Sequence, residues 1–539
     1  MRAKCVKYAP YLLLGLSFLL LVFLNLFCHD HWLDSDMAAE MIFSRLLAED
    51  GHFFATPDWY YSTEFRFLYT HWIMGPLFRF VGSWHVIRAV TNIISYALML
   101  GAYYYCMKPL QVRRGLVAGS SAILLLPFSE TMMTHMAMGN TYLFHVIIVF
   151  LFFGLYLRLT GSAKNVGRGK RAVWALCYLA LALVCGVSGV RYLLALQCPL
   201  VLAGLIYLLR AADFQQFRRN LTAANQKQQW KLLFKCSAMK YFGCSLLGAL
   251  GSVAGYAVNV LYVSRQYVFQ TYDATNFIAV YQGVLFERVQ NAVGSLLMLF
   301  GYIPDRGVIS LRGVVTLAAF ALLGILGYCS VRAGKKSRGQ RLFVSIFLAS
   351  GLCLNLFVFV FTTSTMVPRY YITIFIFALP MLCFYLEQEE RYFDRMAVSL
   401  LLVLCLSLAT GKTVLSYLTV DKNADRREVA AFLEENGYRF GYASYWNANI
   451  ITELTDGAVE VANVGDAEYL EYFQWSSPMK YYKNGYTAGE VFLLLAAEEV
   501  RGAADAESVQ NGRIVYQDDA YTVLVYDSAE ELMGYAAER

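Results

Sequence analysis

Long apolar runs separated by short polar segments dominate the first three quarters of this 539-residue chain. Most runs reach the ~17–25 residues that an α-helix needs to cross the apolar core of a bilayer. We expect about eleven such helices, at residues 10–28, 84–107, 115–128, 141–159, 172–190, 192–209, 241–263, 313–331, 341–361, 370–386 and 396–415. The pattern predicts a polytopic α-helical membrane protein, with residues 1–415 as its membrane module.

Two segments between these runs have amphipathic patterns. In the loop at 29–83, apolar positions in Met37–Asp50 follow helical spacing, and His71–Phe78 mixes aromatic residues with a helix breaker. Such segments are typical of helices that lie along a membrane interface. The stretch at 285–303 fits either an interfacial helix or a further span, and both alternatives stay open.

The chain changes character near residue 416, where short strand patterns alternate with helical ones. We expect strands at 439–445, 458–464, 491–496, 513–516 and 521–526, with helices at 425–435, 447–455, 498–509 and 529–537. This alternation predicts an α/β domain over 416–539 that lies outside the membrane.

Composition and charge predict which parts of the chain lie in the membrane, in the cytoplasm and outside the cell. Hydrophobic residues make up 58% of the chain and charged residues only 16%, against roughly a quarter in soluble proteins. Lysine and arginine are concentrated in alternate loops, including Lys164 and the stretch from Arg210 to Lys240. Loops of this kind stay in the cytoplasm. We therefore expect a multi-pass plasma-membrane protein with a cytoplasmic N-terminus, and with the 29–83 loop and the C-terminal domain outside. No motif for nucleic-acid binding occurs, so no nucleic-acid partner is expected.

The strongest candidate for chemistry is the pair Asp34 and Asp36, directly after the first span. In extended backbone the two side chains point the same way, and neighbouring carboxylates make one another more basic. Either could take a proton from a hydroxyl group. Two alternatives remain: Ser35 or Asp36 could cap a helix that starts at Met37, and the two aspartates could bind a divalent cation such as Mg²⁺ or Mn²⁺. No metal or other cofactor is required by the sequence.

Two Arg-Tyr pairs stand at outer helix starts, where cations are otherwise sparse. Arg369 and Tyr370 follow Pro368 at the start of an inward-running span, and Arg191 and Tyr192 occupy a comparable outer turn. Guanidinium groups bind phosphate well, so the pairs could hold the phosphate of a lipid. The alternative is that the arginines extend toward ordinary lipid headgroups.

Three further residues could assist such a site. His71, His31 and Glu64 lie in the same outer loop, although histidines near an interface are often satisfied by local hydrogen bonds. Tyr445 and Trp446 could form a sugar platform, but packing inside the α/β domain is the interpretation that we favour from sequence.

These features together resemble the GT-C superfamily of polyprenyl-phosphate-dependent glycosyltransferases. The likeness is to the branch of protein O-mannosyltransferases and aminoarabinose transferases, including bacterial members. It rests on Asp34-Ser35-Asp36 with Glu40 on the following helix, on His71–Leu77, and on Pro368-Arg369-Tyr370. The sequence departs from the family in lacking paired prolines after His71, an adjacent Asp-Glu pair and a Trp-Trp-Asp motif.

The resemblance implies a membrane glycosyltransferase. It would move a sugar from a polyprenyl-phosphate donor to a hydroxyl group of a glycan, lipid or protein acceptor on the outer face of the membrane. Asp34 or Asp36 would be the base and Arg369 would contact the lipid phosphate, with inversion at the sugar carbon if the two lie on opposite faces. The main alternative is a transporter or lipid flippase, which would favour ionisable residues near the bilayer midplane and internal repeats.

Overall fold

The computed structural model describes residues 2–139, 141–161, 166–211, 236–270, 275–280 and 283–537, with side chains from residue 8 onward. Lys164, most of the basic stretch from Arg210 to Lys240, and positions 271–274 and 281–282 lie outside the described residues.

The membrane part is a bundle of long apolar helices, as predicted. Within the described ranges, nine are long and apolar enough to span a bilayer, at Tyr8–Phe27 (part of helix Arg2–Phe27), Trp84–Leu110, Leu143–Thr160, Arg168–Val187, Leu193–Arg210, Ser237–Gln266, Leu311–Lys336, Gly339–Phe361 and Tyr392–Thr419. Two bent helix pairs bring the number to eleven, and each coincides with a span that the sequence predicts. Helices satisfy their own backbone hydrogen bonds, which is why apolar sequence in a bilayer folds in this way.

The first bent pair explains the short third apolar run. Helices Arg114–Leu125 and Glu130–Met138 meet at 95°. Pro127 lies in the break, where it cannot donate a backbone hydrogen bond. Ser129 restarts the helix, since its side chain accepts a hydrogen bond from Met132 N at 3.1 Å. The second pair, Pro368–Phe375 and Ala378–Gln388, bends by 43°.

The helix Leu285–Leu299 bears on the alternative left open by the sequence. It has 15 residues, which corresponds to about 22 Å of rise and falls short of the ~30 Å apolar core of a bilayer. It is accordingly not among the helices long enough to span a membrane. Its dimensions favour a helix at the interface.

The centre of the bundle is packed with aromatic side chains. Nearly all residues of Leu143–Thr160 are buried. Phe153 lies between Phe347 and Phe377, with ring centroids 4.9 and 4.7 Å away. This core packs the helices of the bundle against one another.

The loop at 29–83 contains the two predicted helices, at Ser35–Glu49 and His71–Leu77. It also contains an unpredicted strand, β1 (Trp59–Tyr61), in a small three-stranded sheet. β1 pairs in parallel with β2 (Val268–Phe269) and antiparallel with a later strand, Ser477–Pro478. The small sheet joins the loop at 29–83 and the segment at Val268–Phe269 to the C-terminal domain.

The C-terminal domain is a five-stranded mixed sheet with short helices. Its strands are β3 (Phe440–Ser444), β4 (Glu460–Val464), β6 (Val491–Ala496), β7 (Arg513–Gln517) and β8 (Tyr521–Tyr526), with Ser477–Pro478 as β5 of the small sheet. The order is β4-β3-β6-β8-β7, with the first three parallel and β8 antiparallel to both neighbours. Its helices are Ala424–Glu435, Tyr445–Leu454, Ala497–Gly502, Glu507–Asn511 and Ala529–Gly534. All five predicted strands are present, whereas the single helix expected at 498–509 is two short ones.

Candidate active site

The C-terminal domain is docked on the membrane part through a buried ion pair. Arg88, in the first turns of helix Trp84–Met107, is fully buried and forms two hydrogen bonds of 2.7 Å with the Glu453 carboxylate. Its guanidinium also donates to Met37 O at 2.8 Å. Ser35 Oγ donates to Tyr445 O and accepts from Asn449 Nδ2. The helix Tyr445–Leu454 is therefore fixed against the helix Ser35–Glu49.

A cavity of about 520 Å³ lies where these parts meet. This volume is in the range of small-molecule sites, ~300–1,000 Å³. Its walls come from the loop at 29–83, from two further turns of the membrane part at Arg191 and Arg369, and from the C-terminal domain. Among the residues that line it are Asp36, Glu40, Glu64, Arg66, His71, Arg191, Arg369, Tyr370, Tyr445 and Trp446. Most of the residues proposed from sequence thus share one cavity.

The two aspartates have different environments. The helix begins at Ser35, so the segment is not extended, and Asp34 rather than Ser35 or Asp36 is the N-cap: Asp34 Oδ1 accepts from Met37 N at 2.9 Å. Asp36 lines the cavity, and its Oδ1 accepts from Tyr445 Oη at 2.6 Å. Burial, with the nearby charge of Asp36, raises the pKa of Asp34 to about 6. The expectation that both carboxylates point the same way from a strand is wrong for this segment.

Glu40 lies one helical turn beyond Asp36 and faces the same cavity. Its Oε1 lies 2.7 Å from Arg66 Nη1, and its Oε2 accepts from Thr70 Oγ1 at 3.2 Å. Burial raises the pKa of Glu40 to about 7, although the charge of Arg66 opposes the change. Glu40 can therefore gain or lose a proton near neutral pH.

Two arginines flank the ring of Tyr370. The guanidinium carbons of Arg191 and Arg369 lie 5.8 and 5.9 Å from its centroid. Arg191 is paired, since its Nε lies 2.5 Å from Glu64 Oε1 and its Nη1 donates to Tyr142 Oη. Burial alone would lower the pKa of Arg191, but the charge of Glu64 raises it overall. Within the described ranges, Arg369 forms no ion pair, so its charge is available to a ligand.

Other proposed residues lie away from the open cavity or are unsuited to proton transfer. Tyr192 is buried, with its hydroxyl 2.6 Å from His145 Nδ1. His31 Nε2 lies 3.8 Å from Asp421 Oδ2, outside the cavity lining. His71 lines the cavity, but burial lowers its pKa to about 3, so the ring is neutral at physiological pH.

Three residues that line the cavity are not predicted as site residues from the sequence. Arg66 is one of the few cations in the loops that the sequence predicts to lie outside, and this is the signal by which it could be found. The contact of Tyr445 with Asp36 has no sequence signal, because the two residues are 409 positions apart. Trp446 was expected to pack inside the domain, yet it is 63% exposed and lines the cavity; that expectation is wrong.

Among the described residues that line the cavity, Asp36 is a carboxylate with a hydrogen-bond donor, Glu40 is a carboxylate whose pKa lies near neutrality, and Arg369 is a cation without an ion-pair partner. Asp36 can accept a proton, and Arg369 can stabilise an anion. Asp34 is engaged as a helix cap and does not line the cavity, so the lining supplies only Asp36 of the two aspartates suggested for a divalent cation. A metal bound by both remains a prediction.

Comparison with known proteins adds the fold class. No protein-family profile and no curated protein sequence matches the chain. In structure the chain is similar to two structures of ArnT from Cupriavidus metallidurans, one bound to undecaprenyl phosphate and one in the apo state. Each comparison has a TM-score of 0.54 and 13% identity, over 99% of this chain and 100% of that chain.

The apo oligosaccharyltransferase of Archaeoglobus fulgidus is also similar. The TM-score is 0.50 at 12% identity, over 97% of this chain and 75% of that chain. At these identities the likeness concerns the fold. The chain has the GT-C fold, which confirms the fold class predicted from the sequence.

Proposed function

We propose that the protein is a membrane glycosyltransferase that moves a sugar from a polyprenyl-phosphate donor to an acceptor hydroxyl group. Asp36 is the base that activates the acceptor, and Arg369 contacts the phosphate of the donor. The observation that carries the proposal is that Asp36 and the unpaired Arg369 line one cavity. The ArnT structure bound to undecaprenyl phosphate supports the same donor class.

The chemistry requires little beyond these two groups. Lipid phosphate is a good leaving group, so a strong acid is not needed, and a nearby guanidinium stabilises the charge that develops on it. A carboxylate within hydrogen-bond reach of the acceptor removes its proton. Arg369 and Asp36 come from distant parts of the chain. Inversion at the sugar carbon follows if the base and the departing phosphate lie on opposite faces of the sugar.

Aromatic side chains support a glycan as the acceptor, among the glycan, lipid and protein acceptors expected from sequence. Trp59, Trp446, Phe473 and Trp475 line the cavity beside Tyr445. Flat aromatic faces next to polar groups suit the apolar faces of sugar rings. We propose that these residues, on the side of the C-terminal domain, bind the acceptor.

The proposed orientation follows the distribution of lysine and arginine. The N-terminus lies in the cytoplasm, and the cavity and the domain at 416–539 face outward, where lipid-linked sugars would meet an external acceptor. The membrane module at 1–415 supplies Asp36 and Arg369. Proteolysis of the domain in intact cells, compared with lysed cells, tests this orientation.

The function is tested with full-length protein reconstituted in proteoliposomes. Polyprenyl phosphate is expected to raise the unfolding temperature, whereas polyprenol without phosphate is not, and Arg369→Ala should remove the difference. Labelled sugar on a polyprenyl-phosphate carrier should then pass to an added glycan acceptor. Equal stabilisation by both lipids would contradict the donor site, and movement of the donor across the bilayer without transfer would support the transporter alternative.

A further inference from the structure

A second cluster of ligand-type side chains lies beside the first span, apart from the cavity. His29 and Asp30 follow helix Arg2–Phe27, and His85 stands in the first turn of helix Trp84–Met107. His29 Nδ1 and His85 Nδ1 each lie 3.2 Å from Asp30 Oδ1. One ligand atom from each residue falls within 4.8 Å of the others. None of the three residues lines the cavity at Asp36.

The contacts of the two ring nitrogens of His85 limit what can lie between His85 Nδ1 and Asp30 Oδ1. His85 Nε2 lies 3.1 Å from Leu26 O, and a carbonyl oxygen only accepts, so Nε2 carries a proton. A neutral His85 then has its lone pair on Nδ1, facing the acceptor Asp30 Oδ1. With Asp30 ionised, the contact requires either a second proton on the ring or a cation bound by both atoms. Metal-binding histidines commonly donate their other ring nitrogen to a carbonyl in this way.

The spacing fits a metal ion. With metal–ligand distances of about 2.0–2.1 Å, neighbouring ligands of a tetrahedral site lie about 3.3–3.4 Å apart. Two imidazoles and one carboxylate suit zinc and similar divalent ions better than Mg²⁺ or Ca²⁺. The His29 side chain is 2% exposed, whereas Asp30 and His85 are 41% and 31% exposed. The cluster is therefore accessible to solvent on the side of Asp30 and His85.

We propose that His29, Asp30 and His85 bind a divalent transition-metal ion of the zinc class. The ion joins the end of the first span to the start of the second. Asn423, at the start of the C-terminal domain, donates from Nδ2 to Asp30 O at 2.8 Å. An ion that holds Asp30 therefore also fixes the contact between this domain and the segment that leads to Asp36. The site stabilises the junction between the membrane bundle and the C-terminal domain, and it is independent of the transferase proposal.

The test uses purified full-length protein with an affinity tag that contains no histidine. After EDTA treatment and gel filtration, Zn²⁺ is added and unbound metal is removed. We expect about one equivalent of retained zinc, a rise of several degrees in the unfolding temperature, and visible absorption bands when Co²⁺ replaces Zn²⁺. His85→Gln and Asp30→Asn should abolish all three effects, and His31→Gln, a matched neighbour outside the cluster, should keep them.

The wild-type measurement stands even if a variant fails to fold. Wild-type protein that retains no metal, or that gains no stability from it, would overturn the proposal and support a doubly protonated His85 instead. Equal retention by His85→Gln, Asp30→Asn and wild type would also overturn it, since the metal would then be bound elsewhere.

Discussion

Tyr445 Oη donates a hydrogen bond of 2.6 Å to Asp36 Oδ1, joining the C-terminal domain to the helix after the first span. The cavity is therefore built by both parts of the chain. The hydroxyl group holds the carboxylate in one orientation. Arg88 fixes the two helices that carry these residues, because its guanidinium pairs with Glu453 on one helix and donates to Met37 O on the other.

Removing this hydroxyl should slow transfer without unfolding the protein. A hydrogen bond to a charged group contributes ~1.5–3 kcal/mol, so Tyr445→Phe should lower kcat roughly 10-fold or more and change the KM for the donor little. The control is Tyr516→Phe, which removes a tyrosine–aspartate hydrogen bond to Asp518 on the exposed side of the domain. Steady-state kinetics with both variants checks this, and equal rates in both would refute a role for Tyr445.

Arg369 should act on the donor rather than on stability. Loss of a charge-assisted contact of ~1.5–3 kcal/mol predicts a roughly 10–100-fold loss of affinity for polyprenyl phosphate in Arg369→Ala. The unfolding temperature without ligand should stay the same, because Arg369 has no ion-pair partner within the described ranges. Arg191→Ala is the contrast, since it leaves the partly buried Glu64 unpaired and should destabilise the protein. Unchanged donor affinity in Arg369→Ala would exclude it from the phosphate site.

Glu40 should make stability depend on pH. Burial raises its pKa to about 7 from an ordinary value of 4.5, so the folded protein binds this proton more tightly than the unfolded chain. Its favourable contribution is complete below pH 4.5 and is lost as the pH rises through about 7. Between pH 5 and 8 the unfolding temperature of Glu40→Gln should therefore fall less than that of wild type.

An exposed glutamate provides the control for this slope. Glu490 is paired with Arg513 at the surface of the domain. The variant Glu490→Gln should have the same dependence of unfolding temperature on pH as wild type. Parallel curves for wild type and Glu40→Gln would mean that Glu40 does not titrate in this range.

Trp446 should affect the acceptor alone. Its side chain is 63% exposed, so Trp446→Ala should leave the unfolding temperature and the donor KM unchanged. Loss of an aromatic contact of ~0.5–1.5 kcal/mol predicts a roughly 2–10-fold rise in the KM for a glycan acceptor. Phe80→Ala, which removes an exposed aromatic side chain outside the cavity, is the control. If both variants have the same acceptor KM, Trp446 does not bind the acceptor.

The spans and the five strands of the domain could be predicted because each depends on local sequence. A bilayer requires about twenty apolar residues in helical form, and strands separated by helices reveal an α/β domain. The small sheet could not be predicted, since β1 has three residues and its partners lie more than 200 positions away.

The site could be predicted only in part. Asp36, Arg191, Arg369 and Tyr370 line one cavity, but Tyr192 does not, because adjacent residues on a helix point in different directions. The separate roles of Asp34 and Asp36 depend on the residue at which the helix begins. The spacing of apolar residues does not determine that position to within one residue. The contact with Tyr445 depends on how the domain docks.

The most direct measurement compares sugar transfer by Asp36→Asn and Asp34→Asn in proteoliposomes. General-base catalysis contributes ~10²–10⁴-fold, so Asp36→Asn should lose transfer by that factor while still binding polyprenyl phosphate. Asp34→Asn should stay active, because asparagine caps a helix as well as aspartate does. Full transfer by Asp36→Asn, or its loss in Asp34→Asn alone, would contradict the account.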